Sequence, residues 1–145
     1  TNQIIQPRIV YEPNQPPKVL RDKLFSDRVL DWLHKNLIRV VEEGTATRAR
    51  SKYFTIAGKT GTAQKFDFKI GRYSMEKEVA YFVGYFPATN PKYVAGIMVD
   101  EPEGRGFGGT AAAPYFKELV ERVAFYERLE PDKTNKAISE RRLKN

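Results

Sequence analysis

The chain has 145 residues, no cysteine, one histidine and a formal net charge of +7. Its length fits one domain around one core, and 41% hydrophobic with 30% charged residues excludes a wholly disordered or collagen-like chain. Without cysteine there is no disulfide framework or thiolate site, a lone His34 excludes a histidine-rich metal cluster, and a basic excess spread from Arg8 to Lys144 forms no nucleic-acid stripe.

In chain order, Arg8-Ile9-Val10-Tyr11 is a short extended candidate, followed by Pro13, Pro16 and Pro17, whose fixed φ and missing N–H groups make residues 1–25 a connector. Ser26 is placed to cap a helix over 27–43: Val29, Leu30, Leu33, Leu37, Val40 and Val41 recur at helical spacing, and Gly44 offers a left-handed stop. On that helix His34 has no second imidazole to share a metal, and Trp32 is assigned to packing or a partly exposed ring.

The β-formers Tyr53-Phe54-Thr55-Ile56-Ala57 predict a strand running through Gly58-Lys59-Thr60-Gly61-Thr62 to about Gln64. Residues 66–78, polar and aromatic with Gly71, read as a long connection of the kind that borders binding sites. Val79 to Phe86, closed by Pro87, and Tyr93 to Val99 predict two antiparallel strands. After the glycine-rich turn 104–109, the apolar positions Ala112, Tyr115, Phe116, Leu119, Val120, Val123 and Leu129 predict a helix with Pro114 near its start, and 131–145 a polar tail. The fold class is therefore α+β, three antiparallel strands flanked by helices. No run of about 18 apolar residues crosses a membrane, so any membrane anchor is expected outside this chain.

Lys-Thr-Gly alone is a weak signal, and an exposed lysine guarding a strand edge, followed by threonines placed for their β-propensity, accounts for it as well. The context is specific: Ala57-Gly58-Lys59-Thr60-Gly61-Thr62-Ala63-Gln64-Lys65 resembles the third active-site motif of class B penicillin-binding proteins. The resemblance extends upstream to Val40-Val41-Glu42-Glu43-Gly44-Thr45. Downstream it covers Tyr81 to Pro87, Asp100-Glu101-Pro102 and Gly108 to Pro114, the last two closer to the septal, cell-division branch than to the elongation branch.

That resemblance implies part of a penicillin-binding, beta-lactamase-like transpeptidase fold, the C-terminal portion over 1–130, in which a serine attacks the D-Ala-D-Ala bond of a peptidoglycan stem peptide. The acyl group then passes to an amine on another stem, and beta-lactams acylate the same serine. Lys59 and Thr62 are the implied catalytic residues, with half of the oxyanion hole from the Thr62 N–H. Thr60, Gly61 and Thr62 are the implied substrate-binding residues: two hydroxyls for the substrate carboxylate, and a strand face without a Cβ for an edge-docked peptide. No metal, organic cofactor or nucleic acid is implied, and the expected location is a bacterial cytoplasmic membrane with this domain on its outer side.

The family's Ser-x-x-Lys and Ser-x-Asn elements precede the Lys-Thr-Gly strand, and nothing before Lys59 matches either. Ser74-Met75-Glu76-Lys77 has the spacing but the wrong order and is read as a decoy. The chain is expected to be inactive alone, to need the remainder of its domain and other cell-division proteins, and to self-associate through an unpaired strand edge and bared apolar sheet surface. A non-catalytic beta-lactam sensor of the same fold, or a hydrolase such as a beta-lactamase or carboxypeptidase, remains as an alternative.

Overall fold

The computed structural model describes residues 2–10, 12–103 and 106–133. The chain divides into two compact units, Thr1–Lys35 and Asn36–Asn145. In the first unit, β1 (Gln3–Ile5) pairs antiparallel with β2 (Val19–Asp22). The extended candidate at 8–11 is not a strand: Ile9 and Val10 are exposed, Tyr11 lies outside the described residues, and the Arg8 guanidinium donates to the carbonyls of Gln15 and Pro16, tying the proline-rich loop to itself. Helix α1 (Asp27–Glu42) begins where the Ser26 carbonyl accepts from the N–H groups of Val29 and Leu30 at 3.0 and 3.1 Å. Trp32 is largely exposed on it.

The second unit is built on a three-stranded antiparallel sheet, order β3-β4-β5, from β3 (Ala57–Asp67), β4 (Arg72–Phe86) and β5 (Tyr93–Asp100). Alternation along β5 sends Tyr93, Ala95, Ile97 and Val99 towards a covered face and Val94, Gly96, Met98 and Asp100 outwards. A short helix α2 (Gly108–Ala111), helix α3 (Ala113–Tyr126) and the 3₁₀ turn Thr47–Ala49 belong to this unit, and Phe116, Val120 and Ala124 of α3 pack in its core. Fully buried Phe82, Phe86, Phe116, Ile56, Val41 and Val120 are the largest core side chains. The Phe116 ring meets Phe82 edge-on at 4.7 Å and Phe86 at 6.3 Å, so removing it would open a cavity costing about 3–5 kcal/mol. On the other face Val83, Val94 and Met98 are exposed.

Several expectations are corrected. Strand β3 starts at Ala57 and not at Tyr53, because the preceding β-formers serve burial rather than pairing. Phe54 and Ile56 are in the core, and the Thr55 backbone is satisfied irregularly, its N–H donating to Asp132 Oδ1 at 2.7 Å and its carbonyl accepting from Ala88 at 2.7 Å. Residues 66–78 are not a long connection: β3 and β4 run on as a hairpin, Asp67 pairing with Arg72, and the turn closes through Gly71 at φ 65°. Nor is Gly44 left-handed; α1 ends before it, and a Cβ there would stand 2.8 Å from the Val40 Cα, so the glycine is needed for close approach.

Helix α3 stops at Tyr126, short of Leu129. Arg128 turns left-handed at φ 51° while the N–H groups of Arg128 and Leu129 donate to Phe125 O and Ala124 O, which satisfies the last carbonyls and lays Leu129 on the core. Pro114 sits in the first turn of α3, as expected. Of the expected tail, Asp132 accepts from Thr55 N–H and the Thr89 hydroxyl, and the Lys133 ammonium reaches Glu42 at 2.6 Å and Ser51 O at 3.0 Å. Residues 134–145 lie outside the described residues.

Candidate active-site wall

Because the sheet order is β3-β4-β5, the strand carrying Lys59, Thr60, Gly61 and Thr62 lies at an edge of the described sheet. Strand alternation divides the four. Lys59 and Gly61 oppose Val83 and Tyr81 on the open face, while Thr60 and Thr62 oppose the fully buried Phe82 and Ala80 on the covered face. Lys59 and Thr62 are exposed, Thr60 and Gly61 half-buried. The Lys59 ammonium bends back along the strand, donating to Thr60 O at 2.8 Å and approaching Thr60 Oγ1 at 3.4 Å. All four predicted residues therefore share one strand edge, and the cation and the first hydroxyl are in contact.

Gly61 is steric, with an occupant that sequence did not identify. A Cβ on it would overlap the Tyr81 ring, which lies across the strand at that position and is part-exposed. A cross-strand aromatic covering an edge glycine restores contacts that the missing side chain forfeits. The space over Gly61 is thus taken by a phenol of this chain.

Two further contacts were not legible in the motif. Thr45, just beyond α1, places its hydroxyl oxygen 3.0 Å from that of Thr60. Gly108, the first residue of α2, donates its N–H to Thr62 Oγ1 at 3.2 Å. These residues approach so closely that a Cβ on Gly108 would overlap the Tyr81 carbonyl, and one on Gly109 the Thr45 carbonyl. The sequence signal was present only as the Gly108-Gly109 pair and Thr45 inside matching segments, with no indication that they meet β3.

Farther along β3, the Lys65 ammonium donates to the carboxylates of Asp100 and Glu101 at 2.9 and 2.7 Å, and these hydrogen bonds, that to Glu101 foremost, raise its pKa. The decoy Ser74-x-x-Lys77 lies within β4. Ser74 Oγ is buried and accepts from the N–H groups of Glu76 and Lys77 at 3.1 and 3.0 Å, and the Lys77 ammonium pairs with Asp67 at 3.1 Å. Hydroxyl and amine are each engaged elsewhere. Among the described residues no three histidine, cysteine or acidic side chains gather as metal ligands would, and no helix is long and apolar enough to cross a membrane.

Residues 1–121 match the family model of the penicillin binding protein transpeptidase domain. The peptidoglycan D,D-transpeptidase FtsI of Buchnera aphidicola is 36% identical over 120 residues, 78% of this chain and 20% of that protein. Stage V sporulation protein D of Bacillus subtilis is 37% identical over 103 residues, 70% of this chain and 16% of that protein. The chain thus spans about a fifth of the length of the curated relatives it matches. Among solved structures, the transpeptidase domain of penicillin-binding protein 3 from Burkholderia pseudomallei superposes with a TM-score of 0.69 at 32% identity, over 85% of this chain and 37% of that one. Penicillin-binding protein 3 from Mycobacterium tuberculosis in complex with aztreonam gives 0.64 at 28% identity, over 82% of this chain and 30% of that one. The chain belongs to the penicillin-binding protein transpeptidase domain family, among its class B members.

Proposed function

We propose that this chain is the C-terminal portion, over 1–130, of a septal peptidoglycan D,D-transpeptidase domain, and that it supplies the Lys59–Thr62 wall to a serine carried elsewhere in a longer protein. The observation that carries this reading is the placement of an ammonium and two threonine hydroxyls along one exposed strand edge.

A stem peptide lying along that edge would present its terminal carboxylate to the hydroxyls of Thr60 and Thr62, with the Lys59 charge beside them. The serine oxygen then bonds to the penultimate carbonyl carbon while the Thr62 N–H stabilises the oxyanion, and the C–N bond breaks with a proton delivered to the departing D-alanine. An amine from a second stem attacks the ester, forms the new amide and returns the proton to serine. Beta-lactams would acylate the same serine, in keeping with relatives solved with aztreonam and ampicillin. The parent is proposed to be membrane-anchored, with this domain outside the cytoplasmic membrane among cell-division proteins.

Covalent labelling with a fluorescent penicillin, read by intact mass, tests this on the chain and on the full-length protein that carries it. Label on the full-length protein alone is expected. Label on Ser74 of this chain would overturn the assignment of the serine, and label on neither would favour a degenerate binding domain. By itself the chain is proposed to self-associate, since β5 has only β4 as a strand partner among the described residues and Val83, Val94 and Met98 are exposed beside it. A monomeric sedimentation profile at tens of micromolar would refute that.

A further inference from the structure

We infer that Thr45 is a positioning residue: its hydroxyl donates to Thr60 and thereby leaves the Thr60 proton aimed at the carboxylate of the substrate, as the Gly108 N–H does for Thr62. The inference rests on the transpeptidase reading and names a residue outside the Lys59–Thr62 strand.

A threonine hydroxyl has one proton to give and two lone pairs to receive with. Thr62 Oγ1 already receives from the Gly108 N–H at 3.2 Å, and that direction is fixed because a backbone N–H can only donate. Its proton is left for another acceptor. At Thr60 the Lys59 ammonium approaches the same oxygen at 3.4 Å and can likewise only donate. If the Thr45 hydroxyl, 3.0 Å away, also donates, both acceptor positions of Thr60 are filled and its proton must point off the strand. The two strand hydroxyls then match, each backed by a donor from the body and each presenting one proton at the edge. Donors set in advance need not reorient when an anion arrives, and donation into a hydroxyl strengthens the bond it makes in turn.

Thr45 is held for this task from both sides of its peptide unit. Gly109 packs so closely on the Thr45 carbonyl that no side chain fits between them. Beyond it the next residue, Ala46, is fully buried and donates its N–H to Val40 O at 3.0 Å. The Thr45 side chain itself is exposed, so its methyl group matters little to packing and its hydroxyl is free to act on Thr60.

The test compares two probes on the full-length protein that carries this chain: benzylpenicillin, which has the carboxylate, and its methyl ester, which lacks the charge. Thr45→Val keeps the shape and removes the hydroxyl, and Thr45→Ser keeps the hydroxyl. Thr45→Val is expected to slow acylation by benzylpenicillin about tenfold, the worth of one hydrogen bond, and to leave the ester rate unchanged, while Thr45→Ser restores the lost rate. Equal slowing with both probes would mean a merely structural role and overturn the inference, as would no slowing with either. Failure of the unsubstituted protein to take up benzylpenicillin at all would overturn the transpeptidase reading and this inference together, which separates the two outcomes.

Discussion

The two halves of strand β3 are held by different forces. From Ala57 to Thr62 the strand is gripped by the fold: Ala57 and Gly58 are buried, Thr60 meets Thr45, Thr62 meets Gly108, and the opposing Ala80 and Phe82 are fully buried. From Ala63 to Asp67 it is gripped by its neighbours in the hairpin. There Lys65 pairs with Asp100 and Glu101, Asp67 pairs with Lys77, and Phe66 stands edge-on to Phe68 and Tyr73 at 5.1 and 5.6 Å, with Phe68 and Tyr73 well exposed. These ion pairs are only partly covered, so salt screens them and each contributes little. One continuous strand therefore has an end fixed by tertiary packing, where the proposed chemistry sits, and an end fixed by local contacts.

Adding one methyl group at each end would sharpen that difference. Gly109→Ala drives a Cβ into the Thr45 carbonyl, a backbone atom that cannot swing away, and overpacking of that kind costs about 1–3 kcal/mol. Gly71→Ala meets nothing within 4 Å, and its cost of about 1 kcal/mol comes only from holding a side chain at φ 65°. On the full-length protein, thermal unfolding should show both losses, the larger for Gly109→Ala. Penicillin acylation should slow for Gly109→Ala alone. If Gly71→Ala slowed it equally, the two halves would not be separable.

How far the sequence could be read follows the same division. The helix from Asp27, the strand pairs of β4 and β5 and the place of Pro114 were legible because each rests on local spacing. The lead-in from Tyr53 to Ile56 misled because β-branched and aromatic residues serve a core as well as a ladder, and Phe54 and Ile56 are used for the core. Residues 66–78 misled in the other direction, since their polar and aromatic composition resembles a loop until Phe66 and Tyr73 are seen to pair across strands. Strands β1 and β2 are three and four residues long and mostly exposed, which leaves no alternation to detect. Within the proposed site the motif residues were legible and their supports were not. Thr45 and Gly108 stand 15 and 46 positions from the threonines they touch, separations over which no local pattern operates.

Acid gives the gentlest test of the division, because the one carboxylate of β3, Asp67, lies at its hairpin end. The Asp67 carboxylate accepts from the Lys69 N–H at 2.9 Å and from the Lys77 ammonium at 3.1 Å, and these bonds, the backbone one foremost, hold its pKa below the ordinary value of 3.8. A carboxyl with a depressed pKa in the folded state stabilises that state above its ordinary value, and the contribution is lost as pH falls through the depressed one. In that window the hairpin turn should loosen. The Lys69 amide resonance is expected to move and exchange faster, while the amides of Thr60 and Thr62, tied to groups that do not titrate there, stay in place. Asp67→Asn should flatten the Lys69 profile, since an amide does not titrate in that range while its oxygen still accepts from the Lys69 N–H. Movement of Thr60 and Thr62 in step with Lys69 would show that the hairpin turn and the proposed wall form one cooperative unit, and that the grip of Thr45 and Gly108 does not isolate the wall from the tip.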